Sequence, residues 1–360
     1  MDEVVEPLSA RGLQAFEALR APAVSAVTNR FYALYGARGG HFGAREREAC
    51  RRDLAFHLDF FEPVLAFGAV EPMVDYLCWL RSVLASRAIP TEHLALSLEW
   101  LAEALAEQMD AADGALVIAA ARAARDGYLS RLERPVARLA MPEPWVEATH
   151  FESALAGGSV RQAMTIVNGC AERRCGWIEI EMHVIQPALY AIGEKWQKNQ
   201  LTVATEHISS AVAQSVMTIG FQRWSAQPAT SSNRVLLACA EGNHHAIGLR
   251  MVADAFALDG WDVQYLGANV PTAALVRHAM ESQANLVCLS LSFAQQLKAV
   301  KETIAQLSEK LVDKRPQVIV GGLAINRFTR LAALAGADAY CTDALAAVAY
   351  GNGIGLGPNS

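Results

Sequence analysis

The sequence predicts an α + α/β chain: an all-α N-terminal domain, then a four-helix bundle, then an open, doubly wound parallel sheet. Three observations carry this prediction. Apolar residues recur at spacings of three and four as far as Trp224, the period of amphipathic helices. From Arg234 onward, short apolar runs alternate with helical stretches, as in β-α units joined into a parallel sheet. Two breaks separate these regimes, one holding Pro135, Pro142 and Pro144 and the other the polar run Gln227–Asn233; proline and small polar residues interrupt regular structure. Domains are therefore expected at residues 1–140, 146–226 and 233–352. A chain of 360 residues accommodates them at about 100–200 residues each.

In the first domain, Cys50, Leu54, His57, Leu58, Phe61 and Leu65 share one helix face, and Met73, Leu77, Leu80 and Leu84 share another. Thr91 reads as the N-cap of a helix carrying Leu94, Leu98, Leu101 and Leu105. The stretch Gly36–Gly43 reads as a loop, and five or six helices with no strand are expected. The bundle runs from Val146 to about Trp224. Gly157-Gly158-Ser159 and Cys175-Gly176 separate its helices, and its last helix is capped at Thr202 or Thr205.

The third domain reads as strands at Arg234–Ala240, Asp262–Leu266, Leu286–Ser292, Gln317–Val320 and Ala339–Cys341. Helices are expected at His245–Leu258, Thr272–Ser282, Gln296–Lys310, near Arg327–Ala335 and from Asp343. Ligands of such sheets sit at the carboxyl ends of the strands.

Composition excludes several classes. The net charge of -6 argues against a large nucleic-acid footprint. No run of roughly eighteen apolar residues is present to span a bilayer, and the acidic start MDEVVEPL does not resemble a secretory signal. Seven cysteines, an odd number with no C-x-x-C pair, fit a reduced, cytoplasmic protein. No nucleophile with its base, no carboxylate pair and no metal cluster stands in a plausible cleft, so an enzyme is not expected.

Four loops at the strand ends carry the chemistry: Glu241-Gly242-Asn243-His244-His245-Ala246-Ile247-Gly248, Leu266–Pro271, Ser290-Leu291-Ser292, and Gly321-Gly322-Leu323-Ala324. A loop histidine can project toward a planar ring and ligate a metal such as cobalt, and glycines let backbone approach a ligand closely. There is no G-x-G-x-x-G and no Walker motif to favour a dinucleotide or a triphosphate.

This set of loops resembles the cobalamin-binding domain of methionine synthases, B12-dependent mutases and B12 photoreceptors, a Rossmann-like domain. The resemblance implies that His245 replaces the nucleotide base as lower axial ligand of cobalt. It also implies that Gly248, Ser290, Ser292, Gly321 and Gly322 form a slot for the displaced nucleotide tail. The family's acidic partner of the histidine is here Asn243, which can orient the imidazole but not raise its basicity. Glu241 could compensate, and His244 is a rival ligand.

In the bundle, Trp196 is followed after nine residues by Glu206-His207. This is similar to the Trp-x9-Glu-His motif of the B12-dependent light-sensing repressors, where the bundle caps the upper face of adenosylcobalamin. The resemblance implies an indole packed against the adenosyl group and a glutamate bonded to its ribose. The residue after the tryptophan is Gln197 rather than the histidine those repressors use once the adenosyl group has left. His207 and His183 are the helix histidines that could take its place.

The N-terminal domain is nearly twice the size of the repressors' DNA-binding domain and has no basic recognition helix. Its basic cluster, Arg45, Arg47, Arg51 and Arg52, is diluted by Glu46, Glu48 and Asp53. The order of helical domain, bundle and B12 domain resembles the photocobilins, which hold both cobalamin and a bilin. The matching stretches are Arg51–Phe61, Val74–Leu84 and His93–Leu101. The resemblance implies a globin-like fold holding biliverdin. Tyr32, Tyr35, Phe60, Tyr76, Trp79 and Trp100 could supply walls, and Arg45, Arg51, Arg52 or Arg81 could hold propionates. His57 would face the tetrapyrrole, Asp59 could contact pyrrole nitrogens, and Cys78 could form a thioether; each is equally an ordinary core or surface residue. Haem at His57 is the alternative.

The expectation is a light-responsive signalling protein that works through photolysis of the Co–C bond. Because no output domain follows residue 350, output is expected through a homodimer or an unidentified protein partner, with no membrane and no direct nucleic-acid contact. A corrinoid carrier for methyl transfer is the rival reading, as is a haem or redox sensor without cobalamin.

Overall fold

The computed structural model describes residues 5–35, 43–132, 142–224, 233–312 and 314–354. Both the Gly36–Gly43 loop, apart from Gly43, and most of the two linkers lie outside the described residues. The chain divides into two compact units, Met1–Ala137 and Arg138–Ser360. No helix among the described residues is long and apolar enough to cross a membrane.

The first unit is built from five helices among the described residues: α1 (Ala10–Tyr35), α2 (Ala44–Phe67), α3 (Val70–Ala85), α4 (Leu94–Ala106) and α5 (Ala111–Arg131). The predicted face of α2 is the buried one: Leu54, His57, Leu58, Phe61 and Leu65 all point inward, toward Met73 and Leu77 of α3 and Leu98, Leu101 and Leu105 of α4. Gly68 ends α2 in the left-handed region, at φ +65°, where a Cβ would stand 2.5 Å from the Val5 carbonyl oxygen; only glycine fits there. The cap assigned to Thr91 is not formed. The helix begins at Leu94, after a turn in which the Leu94 N–H donates to the Thr91 backbone carbonyl.

The second unit opens with four helices: α6 (Val146–Ala156), α7 (Val160–Glu172), a composite third helix, and α10 (Val203–Trp224). The third helix runs α8 (Trp177–Ile180), a π-helical turn (Glu181–Ile185) and α9 (Gln186–Gln197). Thr202, not Thr205, caps α10, its Oγ1 accepting from the Thr205 N–H at 3.1 Å. The remaining elements are β1 (Arg234–Cys239), α11 (Ile247–Leu258), β2 (Asp262–Gly267), α12 (Thr272–Ser282), β3 (Leu286–Ser290), α13 (Leu297–Lys310), β4 (Gln317–Gly321), α14 (Leu323–Arg327), α15 (Arg330–Ala335), β5 (Ala339–Tyr340) and α16 (Ala344–Ile354).

The five strands are all parallel, in the order β2-β1-β3-β4-β5. This is the predicted doubly wound, Rossmann-like sheet, with Val235, Leu237, Cys239, Leu286, Cys288 and Ile319 packed under α11 and α16. The order in which strands are added to the sheet reverses between β1 and β3, so a crevice opens beyond their carboxyl ends. Helix α11 belongs to two cores at once. Leu249, Ala253 and Phe256 pack on the sheet, while Met251 enters the core of the bundle beside Trp177 and Ile180. Two predicted bounds shift: His245 lies in a loop before α11, and β3 stops at Ser290. In both places a buried amide side chain takes up the backbone groups that would have continued the element.

Candidate cofactor-binding site

The His245 loop leaves β1 and faces the segment leaving β3 across the crevice. Asn243, fully buried, joins them: its Nδ2 donates to the Ser290 carbonyl at 2.9 Å and its Oδ1 accepts from the His245 N–H at 3.1 Å. Asn243 thus fixes the backbone that carries the histidine, whereas the sequence assigned it to the imidazole itself. Glu241 does not compensate, because its carboxylate accepts from the Thr272 N–H at 3.1 Å and caps α12.

Gln296 completes the lacing and was missed by sequence reasoning. Its Oε1 accepts from Ser292 and Phe293 N–H at 2.8 and 3.1 Å, and its Nε2 donates to the Gly242 carbonyl at 3.1 Å. Asn269 adds a third amide, its Oδ1 accepting from the Gly242 N–H at 2.7 Å. The only sequence signal for these roles is an amide residue near each strand end.

The His245 ring stands edge-on to Phe293, with centroids 5.4 Å apart, and is exposed. Partial desolvation lowers its pKa, opposed by the charge of Glu206 and aided by that of His244. The shift favours the neutral ring, the state in which an imidazole nitrogen can ligate a metal. Its electrostatic coupling to Glu206 also brings the bundle residue and the loop residue to one site.

Glu206 is fixed by its own helix, Oε2 bonded to His207 Nδ1 at 2.6 Å and Oε1 accepting from Ser210 at 2.9 Å. His207 is largely exposed. Trp196 is half-buried near the end of α9. His183 is occupied elsewhere: its Nδ1 meets the Glu143 carbonyl at 2.7 Å and its ring stacks on Trp145.

The predicted slot residues divide by role. A Cβ on Gly248 would meet nothing within 4 Å, so open space lies where a ligand would approach the start of α11. Gly322 is demanded by the protein itself, since at φ +96° a Cβ would lie 2.5 Å from the Leu291 carbonyl oxygen and 2.8 Å from Ser290 Oγ. A Cβ on Gly321 would touch the Cys341 carbonyl at 3.0 Å. Ser290 and Ser292 are buried among these loops.

In the first unit the structure gathers part of the predicted tetrapyrrole set. His57 is almost wholly buried, with Nδ1 2.8 Å from the Asp53 carbonyl and 3.2 Å from the Tyr76 hydroxyl. Its Nε2 has no hydrogen-bond partner among the described residues. Burial pushes its pKa down to about 4. Phe60 and Tyr76 stack at 3.8 Å, with Trp79 continuing the stack at 6.2 Å. Other candidates stand apart from that stack. Trp100 lies under Arg30, Tyr32 under Arg47, and Tyr35 against Phe31 and His93. Asp59 is ion-paired with Arg20, which takes it out of the pyrrole-facing role. Arg52 is exposed, and Cys78 half-buried.

Comparison with known proteins bears on the second unit. Residues 233–349 match the model of the B12 binding domain, and residues 148–219 match a second B12 binding domain model. Over 125 residues the chain is 35% identical to the HTH-type transcriptional repressor CarA of Myxococcus xanthus, covering 34% of this chain and 42% of that protein. It is 31% identical over 141 residues to CarH of the same organism, covering 39% and 46%. It is 33% identical over 109 residues to dimethylamine corrinoid protein 2 of Methanosarcina mazei, covering 30% and 50%. The chain thus spans half or less of the length of these curated relatives. Among solved structures, the monomethylamine corrinoid protein of Methanosarcina barkeri superposes with a TM-score of 0.50 at 17% identity, over 56% of this chain and 94% of that one, which shows a shared fold. The bundle and the sheet that present Glu206 and His245 are therefore B12-binding domains, with sequence relatives among both transcriptional repressors and corrinoid proteins.

Proposed function

We propose that the second unit holds adenosylcobalamin, with His245 as the lower ligand of cobalt and Trp196 and Glu206 above the ring, and that the chain is a light-responsive, non-enzymatic signalling protein. The observation that carries this reading is an imidazole at the β1/β3 switch point, on a loop fixed by buried amides, with a pKa lowered by desolvation and within electrostatic reach of the bundle carboxylate Glu206. No group of three or more His, Cys, Asp or Glu side chains among the described residues could hold a free metal ion. His245 would hold the cobalt of a corrin, which carries its own nitrogen donors. The open space at Gly248 fits the entry of such a group. Bound cobalamin supplies a cobalt–carbon bond that light can break. The protein's part is to orient His245 through its backbone, to keep the ring unprotonated, and to set Glu206 and Trp196 against the other face.

Biliverdin in a globin-like first unit is the second half of the proposal. It is supported by the partnerless His57 Nε2 beside the Phe60–Tyr76–Trp79 stack, with exposed Arg52 as a propionate partner. Output through a homodimer or another protein partner belongs to the same reading.

The test is an absorption spectrum of the full chain reconstituted with adenosylcobalamin and biliverdin, in darkness and after green or red light. Two chromophore bands, with a light-driven change in the cobalamin band, are expected. A cobalamin band indifferent to light would instead favour the methyl-carrying corrinoid reading that the corrinoid relatives represent. A Soret band formed with haem, and none with biliverdin, would reassign the first unit.

A further inference from the structure

We propose that Glu181 and Asp254 share one proton, and that this shared proton fastens α11, the helix directly behind the His245 loop, to the helical bundle. The join lies away from the ligand residues, and the inference stands whether or not cobalamin is the ligand.

Glu181 has no exposed surface and sits at the first position of the π-helical turn. Neither of its carboxyl oxygens makes a well-formed hydrogen bond among the described residues, although the Trp177 indole and Asp254 stand near enough to act on it. An ionised carboxylate so placed would lose its hydration with little in exchange. A π turn inserts one residue into a helix and is rare outside functional positions; here it delivers Glu181 to α11.

The partner is Asp254, also buried, on α11. Asp254 already receives Arg250 Nε at 2.6 Å on Oδ1 and Trp177 Nε1 at 3.3 Å on Oδ2. The groups facing the pair are Trp177 from α8, Arg250 from the preceding turn of α11, and Tyr265 from β2, whose phenol senses both Arg250 and Asp254. Phe221 of α10 lies beside Arg250 and carries no charge. One guanidinium therefore faces two carboxyl groups in a site that excludes water. One carboxylate is neutralised by Arg250; the other must hold a proton, because two like charges in contact cannot both ionise in a dry site.

The proton belongs on Glu181. Desolvation and the Asp254 charge drive the Glu181 pKa well up, whereas Arg250 opposes the same rise at Asp254. A protonated Glu181 becomes the donor that the site lacks. It bonds Asp254 across the boundary between bundle and sheet, a few residues from the point where Met251 enters the bundle core. If α11 withdraws from the bundle, Glu181 meets water, reverts to an ordinary acid and releases its proton at neutral pH.

The experiment compares the intact chain with E181Q by infrared spectroscopy at pH 7. The carbonyl stretch of a protonated carboxylic acid is expected in the wild type, shifted in deuterated water and missing from E181Q. Absence of that band from the wild type, or its persistence in E181Q, overturns the proposal. A thermal-unfolding series across pH supplies the second reading. The wild type is expected to lose stability of the second unit as pH rises from the ordinary carboxyl value of 4.5 toward the raised folded one, and E181Q, whose amide donates without titrating, to lose that pH slope. An unchanged slope in E181Q overturns the proposal. Should E181Q fail to fold, D254N serves: with Arg250 facing Glu181 alone, the Glu181 band is expected to shift or vanish, and an unmoved band is the contrary result.

Discussion

At the scale of the residue, the cobalt-ligand reading rests on His245 and on the neutral amides beneath it. His245→Ala is expected to abolish the His-on cobalt spectrum of the reconstituted chain and to weaken cobalamin binding by more than about tenfold. Retention of both the spectrum and the affinity would remove His245 from the metal. The sequence could point to this histidine because its spacing to Gly248 and its place after an apolar strand are both local properties. The role of Asn243 was not legible. A side chain that bonds its own loop's backbone and a strand 47 residues away looks, in sequence, the same as one that bonds the neighbouring imidazole. Gln296 was illegible for the same reason, since its three partners lie on two different loops.

At the scale of the element, α10 and the π turn show how a helix face is chosen. Gly220 on α10 is where Trp177 lies flat against the helix: a Cβ there would stand 2.3 Å from the indole Cη2. Gly220→Ala is expected to destabilise the second unit by about 1–3 kcal/mol, because Trp177 is fully buried and cannot swing away. Chemical denaturation of the intact chain measures this, and a loss below about 0.5 kcal/mol would contradict the packing described. The helices and strands themselves were read to within a few residues, because apolar period and turn residues are printed along the chain. The π turn was not, since Glu181–Ile185 carries no proline or glycine to mark it. It places the fully buried Glu181 at its first position, a placement that no local signal announces.

At the scale of the whole molecule, the two compact units respond to acid in opposite senses. His57 has a folded pKa near 4 against an ordinary 6.5, so the folded first unit refuses a proton that the unfolded chain accepts. Its contribution is intact above pH 6.5 and is lost as pH falls toward 4, amounting to about 3 kcal/mol over that window. Glu181 has a folded pKa raised above its ordinary 4.5; its contribution is full below that value and declines as pH rises toward the folded one. Calorimetry of the intact chain against His57→Phe and E181Q is therefore expected to show differences of opposite slope between pH 4.5 and 6.5. Parallel slopes would refute one of the two assignments. The boundary between the two units falls at the proline-rich break, where the sequence placed the first of its two; the environment of His57 was not legible, because burial of one helix face depends on partners remote in the chain. The lacing of Asn243, Asn269 and Gln296 has a different consequence. All three are amides, which carry no charge and do not titrate, so neither acidity nor ionic strength acts on them directly. The cradle of the His245 loop thereby keeps one shape through changes of pH and salt, and sensitivity to them is left to the seam behind it.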